Sequence, residues 1–146
     1  QTESDTLDLD YESEFCKHTK YHERFARPYV VKADEKLAEI IGEGMVHGTT
    51  ISAPGFYAPQ GRYVRKSPLQ ADLNSLIRSF SYKDTRICNM EMESAPVAGL
   101  AKLFGHRAVT VCDIIAGRTT GKMNTSYHGG IEELISLVLE RIIKVD

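Results

Sequence analysis

Three short stretches of the chain combine side chains that can do chemistry. In Phe56-Tyr57-Ala58-Pro59-Gln60-Gly61-Arg62, an aromatic ring, an amide and a guanidinium fall close together. The amide donates and accepts, and the guanidinium only donates. Together they can read the edge of a flat heterocycle bearing N–H and C=O groups while Phe56 stacks on its face. The same residues also suit a proline-rich surface loop whose Arg62 makes an exposed ion pair. In Asn89-Met90-Glu91-Met92-Glu93-Ser94-Ala95, Glu91 and Glu93 stand where a strand gives way to a helix. A carboxylate there can take both hydroxyls of a ribose diol. It can equally serve the helix N-terminus, worth about 0.3–1 kcal/mol. Carboxylates this close sit on one element and do not flank a scissile glycosidic bond. In Ile115-Ala116-Gly117-Arg118-Thr119-Thr120-Gly121, Arg118 can close over a base or stay solvated, and no P-loop or dinucleotide spacing is present.

The elements between these stretches must position them. Tyr29 to Lys32 reads as a short strand, and Asp34 as the cap of a helix carrying Leu37, Ile40 and Ile41 on one face and ending at Gly42 and Gly44. Met45 to Ser52 reads as a strand and residues 53–68, with three prolines, as a long loop. Leu69, Leu73, Leu76, Ile77 and Phe80 follow a helical period, Arg86 to Met90 reads as a strand, and Val97, Leu100, Ala101 and Phe104 form the next helical stripe. Ala108 to Ile115 is a near-continuous apolar run, the mark of a central strand covered on both faces. Gly117 to Gly130 reads as loop, and Ile131, Leu134, Ile135, Val138 and Ile142 as the last amphipathic helix. Alternation of this kind predicts an α/β sheet with covering helices. Ligands of such sheets bind beyond the carboxyl ends of the strands. The three chemically loaded stretches lie in loops 53–68, 91–94 and 116–128, where that rule looks for them.

Composition narrows the classes. The 146 residues are 42% hydrophobic and 26% charged, enough to bury a core without disulfide staples. The net charge of −2 carries no basic excess for a nucleic-acid surface. No apolar run approaches the roughly 20 residues of a membrane span. Cys16, Cys88 and Cys112 form no C-x-x-C pair; Cys88 and Cys112 read as buried small hydrophobes, and a reducing cytoplasm fits them. His18 and His22 stand four apart, a spacing that can hold a metal on a helix, but a solvated face suits them better, so no metal is expected. Residues 1–14 hold six acids and no base and read as a mobile tail, a linker or an internal loop, with no signal-peptide character.

The stretches together resemble the uridine phosphorylase branch of the hexameric-type nucleoside phosphorylase family, in order, spacing and residue type. The similarity spans residues 27–143 and rests most on Phe56-Tyr57-x-x-Gln60-x-Arg62, the more specific motif. The resemblance implies that Phe56 stacks on a pyrimidine whose carbonyl and imide edge Gln60 and Arg62 hold. It implies further that Glu91-Met92-Glu93-Ser94 is the sugar motif, with Glu93 on the ribose hydroxyls and Met92 packed on the sugar. Arg118 matches an arginine that supports the base-reading one. Purine-handling relatives carry an acid where Ala116 stands here, and Asp113 is three residues away from that position, which favours a pyrimidine.

What the resemblance implies for fold is a mixed-sheet α/β architecture with helices on both faces, residues 27–146 forming the C-terminal, nucleoside-binding half and residues 1–26 an acidic tail or internal loop. What it implies for function is phosphorolysis of uridine to uracil and ribose 1-phosphate, with inorganic phosphate as co-substrate and no organic cofactor. Glu93, Arg62 and Gln60 would be the catalytic groups. The family's Gly-rich turn, phosphate-binding arginines and G-T-G loop have no counterpart here. Gly42-Glu43-Gly44 and His47-Gly48-Thr49-Thr50 are not substitutes. The expected partners are therefore an N-terminal half and further copies in a dimer or hexamer, and the chain alone is expected to be inactive. A nucleosidase using water, or a non-catalytic nucleoside-binding fragment, are the alternatives.

Overall fold

The computed structural model describes residues 6–117 and 120–145. The chain divides into two compact units, Gln1–Lys32 with His47–His106, and Ala33–Val46 with Arg107–Asp146.

The first unit opens with helix α1, Leu9–Thr19. Asp8 caps it by accepting from the Tyr11 N–H at 3.1 Å. Asp10 and Glu12 lie in its first turn and Lys17 and His18 in its last, each sign at the end the helix dipole favours. Tyr11 and Phe15, one turn apart, point into a core shared with Ile77 and Phe80. Phe80 meets both rings with centroids 5.4 Å away, a separation typical of favourable edge-to-face pairs. The acidic segment expected to be a tail or loop thus carries a helix from residue 9 onward. Its acids cluster at the helix start, and its aromatic spacing is what buries it. Glu12 is buried as well and pairs with Arg27.

Strand β1, Thr49–Ser52, is shorter than the predicted strand from Met45. After the loop come helix α3 (Leu73–Ser79), strand β2 (Ser81–Tyr82), strand β3 (Thr85–Glu91) and helix α4 (Ser94–Leu103). The sheet order is β1-β3-β2, with β1 parallel and β2 antiparallel to β3. Tyr29 to Lys32 forms no strand; the Val30 carbonyl instead accepts from the Asp8 N–H at 2.8 Å. The α4 stripe expected in the core is open, with Val97 62% and Phe104 73% exposed. Cys88, expected buried, is exposed on the outward side of β3, where burial alternates.

In the second unit Asp34 caps helix α2, Glu35–Ile41, accepting from the Leu37 N–H at 2.9 Å, as its position before the apolar face predicted. Helix α5, Tyr127–Ile142, begins a turn earlier than its apolar stripe suggested and runs through Gly129 and Gly130. Arg141 of α5 donates to the carbonyls of Ile41 and Glu43 at 2.6 and 2.8 Å, satisfying the carboxyl end of α2. Residues 108–115, expected as the central strand, form no strand. An apolar run records what must be buried, but a strand exists only where a neighbour supplies ladder hydrogen bonds. Here the Ala108 carbonyl goes to the Asp34 N–H and the Ile115 carbonyl to the Asn124 N–H. Among the described residues no helix is long and apolar enough to cross a membrane.

Candidate functional site

The parallel pair β1 and β3 ends in register, Ser52 opposite Glu91, and the Ala53 N–H closes the pair on the Glu91 carbonyl at 2.8 Å. Two of the three expected loops, 53–68 and 91–94, therefore leave the carboxyl ends of neighbouring strands. That is the placement the sheet rule requires.

The two carboxylates of the second loop do different things. Glu91 is consumed by structure. One oxygen accepts from the Ser52 and Ser94 hydroxyls, the latter at 2.7 Å. The other accepts from the N–H groups of Glu93 and Ser94, both at 2.7 Å. The Ser52 hydroxyl also accepts from the Ala95 N–H at 2.7 Å. One carboxylate thus ties β1, β3 and the first turn of α4 together. Partial burial pushes the Glu91 carboxyl up, but the donors from Ser52, Glu93 and Ser94 outweigh it and hold the group below its usual 4.5. Glu93 stands at the cap position of α4 yet makes no side-chain cap bond. Its carboxylate is exposed and, among the described residues, accepts only from the Met92 N–H, at 3.2 Å. Met92 beside it is also exposed. Of the two acids that the sequence offered for helix capping, Glu91 makes the capping bonds in this geometry.

In the first loop the aromatic, the amide and the guanidinium come together. The Arg62 guanidinium carbon lies 3.8 Å from the Phe56 ring centroid. Its Nη1 donates to the Phe56 carbonyl at 2.8 Å and to Gln60 Oε1 at 2.9 Å. Gln60 is 3% exposed, whereas Phe56 is 52% exposed and meets Tyr57 edge to face. A short 3-10 turn, Ala58–Gln60, makes the bend and ends at Gly61, whose φ of 71° is left-handed. Asn74 of α3 donates to the Gln60 carbonyl at 3.1 Å. Among the described residues Arg62 makes no ion pair, the alternative that a surface loop offered.

Arg118 lies outside the described residues. The rest of its loop is a tight turn, with the Gly117 N–H on the Lys122 carbonyl at 2.8 Å and Ala116 bridged to Met123. Asp113, expected on a strand, is in irregular chain, and a Cβ on Gly130 would lie 3.1 Å from its Oδ2. His18 bonds Ser79 at 3.0 Å, while His22 lies beyond the end of α1 and accepts from the Arg24 N–H. Among the described residues no group of three or more His, Cys, Asp or Glu is placed to hold a metal. Sequence reasoning missed Ser52 and Asn74, and it quoted Ser94 within the motif without giving it a role. The position of Ser94, three residues after Glu91 at a helix start, was the available signal.

A family model for the phosphorylase superfamily matches residues 4–144. The chain belongs to that superfamily. Its match begins well before residue 27, where the resemblance read from motifs began. Among curated proteins, this phosphorylase-superfamily chain is similar to a uridine phosphorylase of Thermococcus kodakarensis, 30% identical over 116 residues, which are 75% of this chain and 38% of that protein. Among solved structures it is similar to a Trypanosoma brucei nucleoside phosphorylase described as showing uridine phosphorylase activity. The TM-score is 0.63 at 20% identity, over 93% of this chain and 42% of that one. The mixed α/β fold of the chain matches that nucleoside phosphorylase fold. The chain spans less than half the length of either relative.

Proposed function

We propose that these residues form the base- and ribose-binding part of a nucleoside phosphorylase that cleaves uridine with phosphate. The observation that carries this reading is the Phe56–Gln60–Arg62 cluster, a buried amide and a guanidinium joined at 2.9 Å beside an exposed ring. The Arg62 guanidinium carbon stands 3.8 Å above one face of the Phe56 ring, so a flat base laid on that face takes the place of the guanidinium, which swings to the edge of the base. Uracil offers carbonyl and imide groups at that edge. As its bond to the sugar breaks it gains negative charge, which the donors of Gln60 and Arg62 stabilise.

Glu93 takes the ribose hydroxyls and favours positive charge on the sugar as phosphate approaches. Met92 packs on the sugar. Glu91 holds the frame from which Glu93 projects. Phosphate is held by groups that these residues do not supply, in the remainder of a longer protein or a neighbouring copy in a dimer or hexamer. The kinship with a uridine phosphorylase supports the choice of substrate. Ala116, where purine-handling relatives carry an acid, supports it further.

The test is uracil release from uridine, with and without phosphate, by the full-length protein and by these 146 residues alone. The expected outcome is phosphate-dependent release by the full-length protein, none by the shorter chain, and very poor cleavage of inosine and adenosine. Rapid phosphate-independent release would make the enzyme a nucleosidase, and robust purine cleavage would overturn the pyrimidine assignment.

A further inference from the structure

Resting on the base-site reading above, we infer that Asn74 is a positioning residue for Gln60, coupling the base-reading turn to the aromatic core through helix α3. The Asn74 carboxamide donates to the Gln60 carbonyl at 3.1 Å across fourteen residues of chain. It is a side chain of a helix that the core itself holds. Ile77, three residues on, is buried with Phe80, Tyr11 and Phe15, and Leu73 packs against the same cluster. Asn74 lies beside that buried stripe and is half-buried itself. One end of its side chain is therefore fixed by packing and the other by the turn.

The turn is shaped to receive it. Gly61 follows Gln60 with a left-handed φ of 71°. A Cβ there would overlap the Asn74 carboxamide, standing 2.6 Å from its Cγ. The missing side chain lets Asn74 lie against the backbone, and the left-handed conformation turns the chain so that Arg62 returns to Gln60. The Arg62 N–H bonds the Tyr57 carbonyl at 2.9 Å, and Nη1 then reaches Gln60 Oε1. A second tie at the far side of the loop, from Gln70 Nε2 to the Thr19 carbonyl at 2.7 Å, fixes the approach to α3 against α1. The neighbouring loop residues Tyr57, Ala58 and Pro59 are exposed, whereas Gln60 itself is buried. Asn74 adds a constraint on its carbonyl from α3.

The test is a double-mutant cycle in the full-length protein. Asn74→Asp keeps the shape and removes the donor. Asn74→Ala, a good helix former, guards against a variant that fails to fold. Each is made alone and with Gln60→Ala, and kcat/KM for uridine is read beside the urea midpoint. Losing one neutral hydrogen bond suggests about a three- to tenfold drop in kcat/KM for either Asn74 variant. In the Gln60→Ala background the same change should cost less than about twofold, because the group it positions is gone. Full additivity with Gln60→Ala, no loss in either Asn74 variant, or a loss that tracks the urea midpoint alone would overturn the positioning role and leave the base site standing. Unchanged uridine cleavage by Gln60→Ala itself would overturn the base-site reading and this inference with it.

Discussion

The two loops that leave the ends of β1 and β3 are made rigid by opposite means. In the Glu91–Ser94 loop one side chain does the work: a carboxylate accepts from two hydroxyls and two backbone N–H groups and ties three elements together. In the 53–68 loop the backbone does it. A 3-10 turn closes on a left-handed Gly61, Asn74 holds a carbonyl, and Arg62 folds back over Phe56. The first arrangement depends on a charge and the second on a conformation. The comparison also separates two acids that residue type and spacing alone present as equals. Glu91 holds the frame, and the Glu93 carboxylate is exposed.

The largest expected effect comes from breaking the base loop at its charge. Arg62→Ala removes a charge-assisted bond to Gln60 and the contact with Phe56. At about 1.5–3 kcal/mol for such a bond, kcat/KM for uridine should fall about ten- to a hundredfold in the full-length protein. Steady-state kinetics at wild-type rates would show that the cluster does not bind the base. Next comes Gly61→Ala, which meets both the Asn74 carboxamide and a left-handed backbone. The conformation alone costs about 1–2 kcal/mol, to be read as a lowered urea midpoint and faster proteolysis within residues 53–68. An unchanged midpoint would mean that the turn is not rigid as described.

The smallest effect sharpens the other loop. Because the donors hold the Glu91 carboxyl below its usual 4.5, its contribution to stability is fully present above that value and lost as pH falls through the lowered one. Glu91→Gln keeps the shape and cannot titrate, so the fall in stability below pH 4.5 should flatten in that variant. Parallel stability curves for the variant and the parent would assign the acid sensitivity to other groups, such as Asp8, whose carboxyl burial raises but whose Tyr11 and Lys32 partners lower overall.

Local signals were the legible ones. Asp34 before an apolar face marked α2, the short strand read from Arg86 to Met90 falls within β3, and the residues of both site loops were visible at strand ends. What failed needed partners remote in sequence. Residues 108–115 are as apolar as a central strand, yet among the described residues no ladder partner pairs with them. The acids of residues 1–14 outweighed Tyr11 and Phe15 in a reading by composition, although their one-turn spacing is what puts them against Phe80. Residue type and spacing alone left Glu91 and Glu93 alike, and only the resemblance gave Glu93 the ribose; the donors that select Glu91 for the frame include Ser52, thirty-nine residues away.

The division between the two acids is tested most directly by comparing uridine with 2′-deoxyuridine in the full-length Glu91→Gln and Glu93→Gln variants, each with its urea midpoint. Glu93→Gln should lower kcat/KM for uridine far more than for 2′-deoxyuridine and leave the midpoint near the parent value. Glu91→Gln should lower the midpoint and reduce both substrates alike. Equal effects of the two substitutions on both substrates, or a loss of stability in Glu93→Gln matching that in Glu91→Gln, would contradict the assignment of one acid to the frame and the other to the sugar.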